Sequence, residues 1–158
     1  MNLLTALQQT HNDEKPKIIE FNKATAPLFK HHIDTVLKLE HEIKKMEQVE
    51  CPLKHYFSDG IYVREITMPA GAVIIGKIHK YSHMNIISKG HVTFSDETGI
   101  RTIKAPYTFR SNAGSKKALY IHEETVWSTI HPTKETDIEK IEKEVVTENY
   151  GDLKCLTL

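Results

Sequence analysis

The chain has 158 residues, 39% of them hydrophobic and 27% charged, which fits one domain with a self-sufficient core and excludes two full ones. Its 21 basic and 21 acidic side chains cancel, removing the general phosphate attraction on which nucleic-acid binding relies. Two cysteines, Cys51 and Cys155, exclude a disulfide framework and a four-cysteine zinc site, and they fit a reducing compartment.

Residues 1–27 form an irregular polar arm with Pro16 and Pro27 and no sustained period. The arm lacks a basic region followed by a long apolar stretch, so no secretory signal is expected. Residues 28–49 read as a helix, because Val36, Leu39, Ile43 and Met46 recur at spacings of three and four. That stripe is narrow. It suits a helix packed on its own barrel or a seam between subunits.

Residues 50–133 change texture to short β-type runs separated by turn residues. The strands expected are an opening one around His55, then Tyr62–Met68, Ala72–His79, His83–Ser88, His91–Ser95, Ile100–Lys104, Pro106–Ser111, Lys117–His122 and Thr125–His131. Short strands at this spacing predict a mainly β fold, a single antiparallel jelly-roll barrel. Ala72–Ile75 with its flanking glycines is the longest apolar run and is too short to span a bilayer, so no membrane is expected as a partner. Residues 134–158 read as a helical tail: Thr136-Asp137 precede Ile138, Ile141 and Val145, and a short apolar end carries Leu153, Leu156 and Leu158.

Two segments carry a family resemblance. In REITMPAGAVIIGKIHKYSHMNIISKG, residues 64–90, a strand, a Pro-x-Gly turn, histidines and a closing glycine follow the order of the first motif of the cupin superfamily of RmlC-like jelly rolls. His79 stands at that motif's second histidine, His83 at its glutamate and Lys77 at its first histidine. In residues 105–131, Asn112-Ala113-Gly114 resembles the turn of the second motif, and Lys117 falls where the third histidine would be. The helix before the barrel, the ending VWSTIHPTKETDIEKIE and the general look also resemble small cupin-like proteins of tailed phages. That resemblance implies a component of a virion or a host-takeover factor, located in the virion or the host cytoplasm.

Alternation along strands places Lys77, His79 and Tyr81 on one face, and His83 and Asn85 on the facing one. In a cupin-like barrel these faces converge with Lys117. Two readings of such an interior compete. Neutral imidazoles of His79 and His83, with His131 or His122 as a third ligand, suit a divalent metal such as zinc, nickel or iron. An ammonium about 6 Å from that ion opposes it by roughly 5 kcal/mol even at an effective dielectric of 20. Taken at face value, the lysines instead favour an anionic small molecule on Lys77, His79, Tyr81, His83, Asn85 and Lys117. A third reading leaves the histidines as satisfied interior groups. Because lysines hold two ligand positions, the expectation is a non-enzymatic binding or assembly module that forms a homo-oligomer and contacts virion or host proteins. A metal-dependent isomerase or dioxygenase and an anion sensor are the alternatives. No catalytic residue is assigned.

Overall fold

Two long strands organise the chain. A computed structural model describes residues 26–153, with side chains from Lys30 onward. The expected arm, apart from Ala26 and Pro27, lies outside the described residues, as do Cys155, Leu156 and Leu158. Strands β5 (His83–Asp96) and β8 (Ala118–Pro132) run antiparallel to each other along most of their length. Each long strand also has two partners on its other edge. The first half of β5 pairs with β7 (Tyr107–Ser111) and the second with β6 (Gly99–Lys104). The first half of β8 pairs with β3 (Val73–Ile75) and the second with β2 (Ile61–Met68), which in turn pairs with β1 (Leu53–Ser58). The result is the mainly β, antiparallel jelly-roll-type barrel that the strand spacing predicts.

Three element boundaries differ from the sequence reading. Lys89-Gly90 looks like the end of a strand, yet the chain continues through it as a bulge, where the β5–β8 register shifts. A Cβ at Gly90 would lie 2.4 Å from the Glu124 carbonyl oxygen, and the residue's φ is +99°. Glycine therefore bends the strand without turning it. The expected Lys117–His122 and Thr125–His131 are likewise one strand, β8. Conversely, the expected Ala72–His79 breaks at Gly76-Lys77 into β3 and a two-residue β4 (Ile78–His79).

Helix α1 (Ala26–Ile43) stops six residues before the expected limit at residue 49. Gln48 Nε2 donates to the carbonyls of Ile43 and Met46, satisfying groups that the next helical turn would have used. Ile33 and Val36 are buried, whereas Leu39 and Met46 are exposed. The helix meets the barrel at β3 and through Glu40, which pairs with the buried Lys116 at 3.2 Å. His32 is half-buried on this side, its Nε2 donating to the Lys116 carbonyl at 3.0 Å.

Helix α2 (Ile138–Val145) is capped by Asp137, whose carboxylate accepts from the Lys140 amide. Its buried Ile141 and Val145 pack on Tyr62. Strand β9 (Val146–Thr147) follows at once and pairs with β4, setting His79 opposite Val146. No described helix is long and apolar enough to cross a membrane.

The core fills one part of the barrel with Met68, Ile87, Val92, Phe94, Phe109 and Trp127 among its members. Phe94, Phe109 and Trp127 form an aromatic cluster with centroids 5.3–5.5 Å apart. Asn85 is locked beneath it. Its carbonyl oxygen accepts from Trp127 Nε1 at 3.0 Å, and its amide donates to Ser111 Oγ at 2.9 Å.

Candidate metal centre

Beyond that core the barrel interior turns polar. Inward positions of β2 carry Tyr62, Arg64, Ile66 and Met68, and those of β8 carry Trp127, Thr129 and His131. With His83 and Asn85 from β5 and His79 from β4, they line a cavity of about 220 Å³.

Three histidines meet there. Each of His79, His83 and His131 offers a ring nitrogen within 4.8 Å of the other two. Their ring centroids are 3.9 Å (His79–His83), 4.9 Å (His83–His131) and 5.2 Å (His79–His131) apart. Each ring is placed by backbone. His83 opens β5 opposite Ser111, and His131 lies one residue before the end of β8, opposite Tyr62. His79 is held through both of its peptide groups: its amide donates to Ser115 O, and its carbonyl accepts from the Gly114 amide at 2.7 Å.

Burial keeps all three rings neutral. It pushes His83 down to about 3, helped by Lys117 and His131 and opposed by the hydrogen bond to the Tyr81 carbonyl. Burial, together with Arg64, takes His131 to about 4. His79 falls well below the ordinary value, chiefly through burial and then through its two histidine neighbours. The Tyr81 carbonyl can only accept, so His83 Nδ1 carries the proton at 3.2 Å and its Nε2 is the free lone pair. Nδ1 of His79 and Nδ1 of His131 are buried without a partner among the described residues. Three neutral imidazoles with convergent nitrogens and two unmet polar atoms match the donor set of a divalent transition metal.

The positions the sequence singles out divide. His79, His83 and His131 come together. His122 does not: it faces outward, stacked on His91 with centroids 4.5 Å apart and bonded to Thr93 Oγ1. Tyr81 is 55% exposed and not on the cavity wall, because the chain leaves β-structure after His79 and alternation no longer holds. Lys77 sits just after the Gly76 break, and its ammonium turns out to Glu142 at 3.1 Å. Lys117 stays inside, its Nζ donating to Ser115 Oγ at 2.7 Å. Burial pushes Lys117 down to about 8 against the pull of Glu97 and Asp96. Asn85 reaches the wall, but its amide is committed to Ser111 and Trp127.

Arg64 is the residue the sequence reading missed. It stands on β2 between Tyr62 and Ile66, a charge on the strand's inward register, and that register was the signal available.

No protein-family model matches the chain, and no curated protein matches it. Among solved structures it is similar to KdgF from Halomonas sp., at 13% identity, 60% of this chain and 90% of that one, with a TM-score of 0.47. It is similar to an RmlC-like cupin family protein with a double-stranded β-helix fold from Methanocaldococcus jannaschii, at 14% identity, 61% and 97% coverage and a TM-score of 0.45. A cupin superfamily protein from Desulfitobacterium hafniense is similar at 9% identity, with 56% and 82% coverage and a TM-score of 0.46.

Proposed function

We propose that this chain is a cupin-type metalloenzyme that holds one divalent transition metal ion on His79, His83 and His131 and acts on a small molecule in the adjoining cavity. The convergence of three neutral, buried imidazoles carries the reading. A histidine triad with no carboxylate leaves the ion its full charge and open positions, so it would supply Lewis-acid polarisation of a bound oxygen. The protein's own part is to keep the rings deprotonated by burial, to orient His83 through the Tyr81 carbonyl, and to wall the site with apolar side chains.

One argument for an assembly module loses half its weight on this geometry. Of the two lysines expected to repel a cation, Lys77 is neutralised by its pairing with Glu142 at the cavity's edge.

Calorimetric titration of chelator-treated protein with zinc tests the proposal. One equivalent is expected to bind, and His83→Ala or His131→Ala should each weaken it at least about 100-fold. Uptake below about a tenth of an equivalent by the unaltered, folded chain refutes the proposal.

A further inference from the structure

Arg64 has no carboxylate partner within ion-pair distance among the described residues, and its Nε is buried without a hydrogen-bond acceptor. It lines the cavity one inward position from Tyr62, whose cross-strand partner is His131. Arg64 as a whole is half-buried, and leaving its buried Nε–H without an acceptor is costly. Three other charges border the same cavity. Lys77 and Glu142 neutralise each other at 3.1 Å, and Lys117, buried, donates only to the Ser115 hydroxyl. The interior thus carries two cations that no wall carboxylate pairs within ion-pair distance among the described residues: Arg64, and Lys117, which Glu97 and Asp96 offset from outside the cavity lining. Between them the wall is apolar, made by Ile66, Met68, Ile74 and Leu119.

From this we infer that the molecule the cavity takes is a small organic acid, its carboxylate docked on Arg64 with Lys117 nearby and a short apolar body against the β2–β8 wall. A planar guanidinium presents paired donors that match a carboxylate. A volume of about 220 Å³ limits the body to a few carbons. The inference rests on the metal-centre reading and gives it a substrate class.

Trp127 is the only tryptophan and lies on the cavity wall, so its fluorescence reports occupancy. The test titrates the chelator-treated full chain with hexanoate, with hexan-1-ol, which has the same tail without the charge, and with inorganic phosphate. Hexanoate should bind at least about tenfold more tightly than the alcohol, the scale of one hydrogen bond to a charged group. Arg64→Gln should bring hexanoate down to the alcohol's level and leave hexanol binding unchanged. Arg64→Lys should retain part of the preference and guards against a folding failure in the glutamine variant. Equal binding of hexanoate and hexanol to the unaltered chain overturns the assignment, and so does phosphate binding as tightly as hexanoate. Zinc uptake by the same samples reads the metal centre separately. Lost acid preference with one equivalent of zinc retained overturns this inference alone, whereas acid preference without zinc uptake overturns the metal centre alone.

Discussion

Acidification of the metal-free protein should destabilise it steeply, and the histidine triad supplies the magnitude. In the unfolded chain each ring titrates near 6.5; in the folded one His83 titrates at about 3 and His131 at about 4. Between those limits the unfolded state binds protons that the native state refuses, so stability falls as pH falls. It is complete above 6.5 and drains away toward the folded values. From pH 7.5 to 5 each ring contributes a loss of about 2 kcal/mol. The pair gives about 4 kcal/mol, and His79 adds to it in the same direction. A domain of this kind has only about 5–15 kcal/mol to lose. Urea unfolding followed by Trp127 fluorescence at pH 7.5, 6.5, 5.5 and 5.0 measures the slope. His131→Phe, which keeps a ring without a titrating nitrogen, should reduce the loss by about 2 kcal/mol. A drop of less than about 1 kcal/mol between pH 7.5 and 5 in the unaltered chain would show that the rings are not held neutral by burial.

Two further outcomes follow from the framework around the site. Gly90→Ala drives a Cβ to 2.4 Å from the Glu124 carbonyl oxygen, a backbone atom that cannot step aside. A loss of about 3 kcal/mol or more in urea unfolding is expected, and an unchanged midpoint would refute the bulge geometry. Asn85→Ala strands the Trp127 indole N–H and the Ser111 hydroxyl in the core. It should cost about 2–4 kcal/mol in thermal unfolding and shift the tryptophan emission; an unshifted spectrum would show that Asn85 does not hold the indole.

Much of the barrel is legible in the sequence because alternation survives along its strands. Tyr62–Met68 carries Tyr62, Ile66 and Met68 on one face, interrupted by Arg64, and β2 spans that run. Two of the strand errors turn on glycine. Gly90 signals a turn but makes a bulge, and Gly76 sits inside the expected Ala72–His79 run and splits it. The second error propagates: once the strand breaks, Tyr81 no longer shares a face with His79, and Lys77 pairs with Glu142. At the site, His79 and His83 are legible from local spacing. His131 is reached only as one of two candidates, since nothing local says which end of β8 closes over the triad. Arg64 is invisible to a search for ligand spacings, because what distinguishes it is the missing counter-charge around it. No pattern in one strand can display that.

The pairing of β4 with β9 spans only two residues on each side, whereas the seam between β5 and β8 runs through strands of 14 and 15 residues. Cooperative resistance to opening scales with such lengths. Of the three imidazoles, His79 stands on the shortest strand, stitched to β9 on one side and to Gly114 and Ser115 through its own peptide groups. Residues 146–147, far from His79 in sequence, supply the cross-strand neighbour of the residue that bears that ring.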